Sequence, residues 1–316
     1  MINILEKITQ YFFKLKNEAL FYYGGQPKGK IKDYNKIVKE SYKNRKIRFI
    51  LIETINRCNN NCNFCPVSVG NEKRDFKKMS YEMFNKIIDD LVKINYDGSI
   101  ALFFTNEPFL DDRIIDFMKI VKDRLPNAFH YIMTNGILLT LDKYIKAYEY
   151  LDLLYINNYN NNNELNDTTK TIYDYCLNNK RYLDKTVISM RRKDEVLSSR
   201  GGNAPNRQST LQSIPYLCHL PSYQFTIRPD GKISLCCCDT YGEMTLGDLN
   251  NNSIEEIWNS NTYTTINKLM LKGRQYINIC KNCDYLEKNI DPSLNYDVNF
   301  LNYVKNNDNN ILRKYL

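Results

Sequence analysis

Between Ile47 and Ser198, short apolar segments alternate with amphipathic ones, and this alternation limits the possible folds more than any other feature of the sequence. The apolar segments predict buried strands and the amphipathic segments predict helices. Repeated alternation of this kind is typical of a parallel barrel or a doubly wound sheet. Because the crossovers are right-handed, the carboxyl ends of the strands meet at one rim, where ligands usually bind. The predicted strands are Arg48 to Glu53, Ser99 to Phe104, Phe129 to Met133, Asp152 to Ile156 and Thr186 to Met190.

Polar and turn residues between these segments predict where helices and loops begin. Ser80 is placed as the N-cap of one helix, and Pro126 ends the helix that comes after the second strand. Ser253 and Glu256 have the spacing of a capping box and predict a further helix. We interpret the asparagine-rich run from Asn157 to Asn163 as a loop that leaves the fourth strand at the rim.

The pattern changes after Ser198. Arg200 to Pro205 (RGGNAP) is rich in turn residues and separates the alternating region from the C-terminal part of the chain. Two apolar segments, Tyr223 to Arg228 and Lys232 to Cys237, flank the turn Pro229-Asp230-Gly231, so a β-hairpin is expected there.

The sequence therefore predicts three parts. Residues 1–45 are expected to form an N-terminal helical extension, and residues 46–200 a partial (β/α)6 TIM-type barrel. Residues 201–316 are expected to form a small α+β domain. A chain of 316 residues is long enough for such a large domain and its smaller companion.

The composition excludes several classes of protein. Hydrophobic residues make up 43% and charged residues 25% of the chain, as in an ordinary globular protein. The net charge of +8 is spread along the chain, so no nucleic-acid partner is expected, because such sites usually need a clustered basic stripe. There is no apolar run of roughly eighteen residues, and the N-terminus lacks the continuous apolar core of a secretory signal. We therefore expect a cytoplasmic protein with no membrane span.

Three of the ten cysteines lie directly after the first predicted strand, as Cys58-x-x-x-Cys62-x-x-Cys65. In a chain without an export signal, cysteines favour metal or cluster ligation over disulfides, because the cytosol keeps thiols reduced. Three thiolates at this spacing can hold three irons of a [4Fe–4S] cluster and leave the fourth iron open. A structural zinc site would normally have a fourth Cys or His ligand, and none lies nearby in the sequence.

This loop resembles the defining C-x-x-x-C-x-x-C motif of the radical S-adenosylmethionine (SAM) superfamily, including the aromatic residue before the last cysteine, Phe64. The resemblance implies that the open iron chelates the amino and carboxylate groups of SAM. It further implies that one electron cleaves the S–C5′ bond and that the 5′-deoxyadenosyl radical abstracts a hydrogen atom from the substrate. An external one-electron reductant, such as flavodoxin or ferredoxin, is implied as a partner.

Polar residues after the later strands are candidates for binding SAM. Thr105-Asn106-Glu107-Pro108 stands where the superfamily typically has Gly-Gly-Glu-Pro, and the resemblance implies that Glu107 accepts a hydrogen bond from the SAM amino group. Asn135 and Asn158, at the ends of strands three and four, are candidates for the SAM carboxylate and ribose. The alternative for both asparagines is a polar residue of a surface loop.

A second set of cysteines lies in the C-terminal part, namely Cys218, the triplet Cys236-Cys237-Cys238, and Cys280-x-x-Cys283. Four thiolates from separated segments suit a fully ligated [4Fe–4S] cluster or a structural zinc. Beside a radical SAM barrel, the segments from Gly231 to Asp239, Leu246 to Asp248 and Ile257 to Asn259 resemble the SPASM or twitch auxiliary-cluster domain. The resemblance implies one auxiliary cluster. Its expected ligands are Cys218, Cys236, Cys280 and Cys283, with the choice within the triplet left open.

The substrate is less constrained than the cofactors. We expect radical oxidation or rearrangement of a small polar, sugar-like molecule, because a single auxiliary cluster resembles superfamily members that oxidise aminoglycoside precursors. Arg200 is the candidate catalytic residue, with a planar donor fork that could orient a substrate hydroxyl or carboxylate; a surface turn is the alternative. Peptide or protein modification is the alternative within the same superfamily. A non-catalytic zinc-binding interaction module is the alternative from another class.

Overall fold

The computed structural model describes residues 28–207, 213–286 and 312–314. The strands of these residues form one nine-stranded sheet in the order β8-β7-β6-β1-β2-β3-β4-β5-β9. They are β1 (Phe49–Ile52), β2 (Ser99–Ala101), β3 (Phe129–Thr134), β4 (Leu153–Tyr159), β5 (Thr186–Arg191), β6 (Gln224–Ile227), β7 (Lys232–Ser234), β8 (Thr245–Asp248) and β9 (Leu312–Lys314).

The part of the sheet from β6 through β1 to β5 and β9 is parallel throughout. Ile50 of β1 lies opposite Ile100 of β2 on one side and Phe225 of β6 on the other. Strands β7 and β8 continue the sheet beyond β6 in antiparallel pairing. The outer strands β8 and β9 are not neighbours, so the barrel is open, and the predicted partial barrel is confirmed. The C-terminal hairpin supplies its sixth parallel strand.

Local signals in the sequence set the ends of the helices. The Ser80 hydroxyl accepts a hydrogen bond from the backbone N–H of Met83 and caps α2, and α3 ends before Pro126. Ser253 and Glu256 form the predicted capping box at the start of α6. The helices are α1 (Lys28–Lys43), α2 (Tyr81–Lys93), α3 (Ile114–Arg124), α4 (Leu141–Tyr148), α5 (Asp167–Asn178), α6 (Ile254–Trp258) and α7 (Asn261–Lys272).

Two strand ends at the rim differ from the prediction by three residues, and the other three ends by one. β2 stops at Ala101 instead of Phe104, because the backbone N–H of Phe104 donates to the Asn106 side chain at 2.9 Å, in a local turn. β4 continues to Tyr159, so the first asparagines of the predicted loop lie in a strand. The reason is that β5 extends to Arg191 and pairs with β4 along its whole end, which overrides the low strand preference of asparagine.

The predicted N-terminal extension lies partly outside the described residues, since 1–27 are not among them. Helix α1 packs on the C-terminal part of the chain. The Tyr42 hydroxyl donates to the carbonyl oxygen of Cys218 at 2.8 Å, and the Asn35 side chain bonds Pro215 and Leu217. Within the described ranges, none of the helices has the length and apolar character needed to cross a membrane.

Candidate active site

A cavity of about 230 Å³ lies at the carboxyl ends of the barrel strands. Residues in or after each of the strands β1 to β5 line it, as expected for a ligand site at this rim of a parallel barrel. The lining side chains that bear on its chemistry are Cys58, Cys62, Phe64, Cys65, Glu107, Asn135, Asn157, Tyr159, Arg191 and Arg200.

The three cysteines of the predicted cluster loop lie together on the wall of this cavity. Cys62 is buried, whereas Cys58 and Cys65 are partly exposed. The backbone N–H of Cys65 donates to the carbonyl oxygen of Cys62 at 3.1 Å, which turns the loop back on itself. Burial raises the pKa of the Cys58 and Cys62 thiols to about 12, so they bind protons at neutral pH unless a metal replaces them.

Phe64 closes the cavity beside the cysteine loop. Its ring is buried and lies 5.6 Å from the ring of Tyr159, measured between centroids. The guanidinium of Arg191 lies 6.0 Å from the Phe64 ring and 5.5 Å from the Tyr159 ring. The predicted cofactor-binding residue Phe64 is thus part of a packed aromatic wall.

A buried ion pair links the segment after the cysteine loop to the end of β1. It was not predicted from the sequence. The carboxylate of Glu53, directly after β1, is fully buried and lies 2.8 Å from the Arg74 guanidinium. Arg74 also pairs with Glu72 at 2.8 Å, and the Thr105 hydroxyl donates to Glu53 at 3.0 Å. Thr105, where the superfamily has a glycine, therefore links the second strand's loop to this ion pair. No local motif marks such a contact, because Glu53 and Arg74 are distant in sequence.

Glu107 is the buried acid of the cavity, with only 1% of its surface exposed. Its carboxylate accepts hydrogen bonds from the Thr134 hydroxyl at 2.7 Å, the Asn135 N–H at 2.7 Å and the Phe109 N–H at 3.1 Å. A carboxylate has about four lone-pair positions, so one remains for a further donor. Burial raises the pKa of Glu107 to about 7 although these hydrogen bonds lower it, so a further donor would favour the ionised form.

Glu107→Gln is expected to weaken SAM binding about ten- to a hundredfold, because a charge-assisted hydrogen bond contributes about 1.5–3 kcal/mol. The iron content should not change, since no iron ligand is lost. Equilibrium dialysis of SAM against the anaerobically reconstituted protein measures the affinity. Glu149→Gln, which changes an exposed carboxylate on the outer surface, is the matched control and should bind SAM normally. If both variants bind SAM equally well, Glu107 lies outside the cofactor site.

The structure brings Asn135 to the cavity but not Asn158. The Asn135 side chain donates to the Asn59 side chain at 2.8 Å, and its amide nitrogen lies 3.9 Å from the sulfur of Cys58. Asn158 is buried, and its amide bonds the backbone of Glu164 and Asn166, which holds the loop after β4. Alternation along β4 turns the neighbouring side chains Asn157 and Tyr159 to the cavity instead. Asn158 is not among the residues that line the cavity, and its predicted contact with SAM stays a prediction.

Arg200 lies on the cavity wall in a tight turn where Arg200, Gly201 and Gly202 all have positive φ. No carboxylate of the described residues lies within ion-pair distance of its guanidinium, in contrast to Arg191, which pairs with Glu195. The pKa of Cys237 is lowered first by a hydrogen bond with Cys238 and also by the Arg200 charge. The hydroxyl of the preceding Ser199 donates to the carbonyl oxygen of Asn282 at 2.8 Å, so Arg200 lies between the cavity and the segment that carries Cys280 and Cys283.

The C-terminal cysteines lie near one another beside this turn. Five of them are buried and Cys237 is partly exposed. Cys218 precedes β6, the triplet follows β7, and a short turn brings the N–H of Cys283 to 3.1 Å from the carbonyl oxygen of Cys280. Burial is the main cause that raises the pKa of Cys218 to about 12, and it also raises that of Cys280.

Within the triplet, Cys236 is the member whose charge affects the pKa of both the Cys218 and the Cys280 thiol. After burial, the charge of Cys236 raises the pKa of each of these two thiols, and Cys237 and Cys238 are not among their main influences. Cys238 is also buried, and its backbone N–H donates to the sulfur of Cys236 at 3.4 Å. Cys236 and Cys238 therefore lie side by side, and Cys236 as the cluster ligand stays a prediction.

The chemistry of both sets fits iron–sulfur clusters. Among the described residues, no three Cys, His, Asp or Glu side chains converge closely enough to share a single metal ion. Cluster ligands do not need to do so, because each thiolate binds a different iron. Three thiols line an open cavity and the other set is enclosed, as a cluster with one open iron and a fully ligated cluster would require. An open barrel with a cluster-type cysteine loop at its rim defines a cofactor-dependent iron–sulfur enzyme.

Comparison with known proteins agrees with this class. The profile of the radical SAM superfamily matches residues 52–175, and that of the SPASM iron–sulfur cluster-binding domain matches residues 218–284. The S-adenosyl-L-methionine-dependent 2-deoxy-scyllo-inosamine dehydrogenase of Niallia circulans is 25% identical over 253 residues, or 78% of this chain and 96% of that enzyme. The crystal structure of BtrN with AdoMet and 2-DOIA has a TM-score of 0.67 at 23% identity, and covers 80% of this chain and 98% of its own. Native anSMEcpe with bound AdoMet has a TM-score of 0.52 at 14% identity, with 83% of this chain and 100% of its own covered.

Together the two profiles cover more than half of the chain. The chain is a radical SAM enzyme with a C-terminal SPASM domain. It uses SAM at a [4Fe–4S] cluster and carries an auxiliary cluster, as the resemblance of the motifs implied. The chain is thus an enzyme and not the alternative non-catalytic zinc-binding module. These two solved structures, each under 25% identical to this chain, support the fold of the barrel.

Proposed function

We propose that this enzyme oxidises a hydroxyl group of a small, sugar-like molecule. The observation that carries the proposal is the similarity to 2-deoxy-scyllo-inosamine dehydrogenase along 96% of that enzyme. The match covers 78% of this chain and so extends beyond the barrel into the SPASM domain. A peptide substrate is the alternative, and no feature of the described residues favours it.

Some residues of the cavity are proposed to hold the SAM-binding cluster and SAM, and another is proposed to bind the substrate. Cys58, Cys62 and Cys65 would hold the SAM-binding cluster, and Glu107 would accept a hydrogen bond from the SAM amino group. When bound, SAM and the two clusters would supply one-electron chemistry, in which SAM would be the source of the radical and the auxiliary cluster would accept an electron. Asn135, beside Cys58, would face the SAM carboxylate.

Arg200 is proposed to bind the substrate. An alcohol becomes a ketone when its carbon loses a hydrogen atom and its hydroxyl loses a proton, with one electron leaving the molecule. A guanidinium that donates two N–H groups to the hydroxyl oxygen would orient the C–H bond and favour loss of the hydroxyl proton. Arg200 can do this because no carboxylate of the described residues occupies its donors.

Two further features belong to the proposal. A one-electron reductant such as flavodoxin or ferredoxin would deliver the electron that cleaves SAM. The cytoplasm is the proposed location, because both clusters and the free thiols need a reducing compartment.

The proposal is tested by anaerobic incubation of the reconstituted enzyme with reductant, SAM and 2-deoxy-scyllo-inosamine. We expect 5′-deoxyadenosine well above the level formed without substrate, together with an equal amount of ketone detected by mass spectrometry. Cysteine- and serine-containing peptides are run in parallel. Excess 5′-deoxyadenosine with peptides alone would assign the enzyme to peptide modification and overturn the proposal.

Variants of Arg200 test its proposed contact with the substrate in the same assay. Arg200→Gln should lower ketone formation while SAM cleavage without substrate stays unchanged, and Arg200→Lys should recover only part of the loss, because a single ammonium cannot replace the planar fork. Arg192→Gln, at an exposed arginine paired with Asp194, is the control and should behave like the unmodified enzyme. Equal ketone formation by all three variants would exclude Arg200 from substrate binding.

A further inference from the structure

Arg274 is a charged residue that is not among the residues lining the cavity and has no role in the proposed reaction. It lies after α7 in a short turn and is only 1% exposed, which makes it one of the largest fully buried side chains of the described residues. No carboxylate among these residues lies within 4.0 Å of its guanidinium. A buried cation without an acidic partner is rare, because transferring an unpaired charge from water into the interior is very costly.

The guanidinium is held in one orientation by backbone oxygens around the C-terminal cysteines. It donates to the carbonyl oxygens of Tyr216 at 2.7 Å, Leu217 at 3.4 Å, Cys283 at 3.2 Å and Tyr285 at 2.7 Å. Two of these residues directly precede Cys218, one is Cys283 itself, and one lies two positions after Cys283. The fork of Arg274 therefore ties together the two chain segments that carry these cysteines.

Carbonyl oxygens satisfy the N–H groups but do not neutralise the charge. An arginine side chain cannot escape the cost by losing its proton, because its ordinary pKa is too high. Burial by itself lowers the pKa of Arg274, yet the neighbouring groups Cys218, Cys283 and Cys280 together raise it above its ordinary value. The guanidinium also bonds the carbonyl oxygens of Cys283 and of Leu217, next to Cys218, so a cluster bound by these cysteines would place its negative charge near Arg274.

We propose that Arg274 is the fixed counter-charge of the auxiliary iron–sulfur cluster and raises its reduction potential. A cluster held by four thiolates carries negative charge, and reduction adds one electron to it. A buried cation beside the ligands stabilises the reduced form more than the oxidised form, and screening by water is weak there. The inference rests on the auxiliary cluster of the proposed function, but not on the identity of the substrate.

The test uses the full chain with Cys58, Cys62 and Cys65 all replaced by Ala, so that the auxiliary cluster is the one cluster left to measure. In this background, the midpoint potential is determined by redox titration monitored by electron paramagnetic resonance, with iron counted separately. Arg274→Gln is expected to lower the potential by at least about 59 mV, a tenfold change in a one-electron equilibrium. Arg274→Lys, which keeps the charge but not the fork, should lose less than half of that.

Tyr42→Phe is the matched control, because it removes a neutral hydrogen bond to the carbonyl oxygen of Cys218 and leaves the charge intact. Its potential should not change. The proposal is overturned if Arg274→Gln keeps both cluster and potential, or if Arg274→Lys falls as far as Arg274→Gln. Should Arg274→Gln fail to hold iron, retention of iron by Arg274→Lys supports the proposal, and loss in both variants overturns it in favour of a role for the hydrogen bonds alone. None of these outcomes depends on turnover of a sugar.

Discussion

Cys62→Ala is expected to abolish the formation of 5′-deoxyadenosine from SAM. Cys62 is the buried central member of the cysteine loop, and a cluster with one open iron has only three protein ligands. Loss of one of the three destroys the site instead of weakening it. The variant should retain about one cluster per chain, in the SPASM domain. Iron and sulfide counts after anaerobic reconstitution, with chromatography of 5′-deoxyadenosine, measure both effects.

Cys176→Ala is the matched control for this experiment. Cys176 is another fully buried thiol of the barrel, on α5, where it lies 3.1 Å from the Tyr144 hydroxyl and belongs to neither cysteine set. This variant should keep both clusters and cleave SAM. If Cys62→Ala still forms 5′-deoxyadenosine at the level of Cys176→Ala, the cysteine loop is not the catalytic centre.

Cys283→Ala is expected to separate SAM cleavage from product formation. Four thiolates fill the coordination of the auxiliary cluster, so it has no open iron for SAM, and its loss should leave SAM cleavage measurable. Product formation should fall much further than 5′-deoxyadenosine formation, because the electron from the substrate loses its acceptor. Iron content should drop to about one cluster per chain.

Replacing each member of the triplet in the same assay tests the ligand choice. Cys236→Ala should behave like Cys283→Ala, whereas Cys237→Ala and Cys238→Ala should keep two clusters. If Cys283→Ala changes neither iron content nor product, Cys283 is not a ligand. If SAM cleavage, product and the folded state disappear together, the auxiliary cluster is primarily structural.

Much of the fold and of the cofactor site could be predicted because the signals are local. Strands buried on both faces of a parallel sheet appear as continuous apolar runs, and Ser80 and Ser253 cap helices through bonds to residues only three positions away. Cys58, Cys62 and Cys65 lie on one short loop, so their spacing already limits the cluster they can hold. Glu107 was predicted from the resemblance of a four-residue motif, and the structure places its carboxylate in the cavity wall.

The contacts that joined distant segments were not predictable in this way. The end of β4 was misplaced because its pairing with β5, and not the propensity of the asparagines, decides where this strand stops. That same extension of β4 turned Asn158 away from the cavity and Asn157 towards it, since side chains alternate along a strand.

The amino-acid sequence by itself determined the class of enzyme, the order of strands and helices along the barrel and the residues able to bind iron, because each depends on residue type and short spacing. Only the tertiary structure decided that β6 of the SPASM domain completes the parallel sheet beside β1. It alone paired Glu53 with Arg74 and placed the charge of Arg274 beside the segments that carry Cys218 and Cys283. Burial and electrostatic partnership are properties of segments brought together by folding, and no local pattern in a chain records which segments will meet.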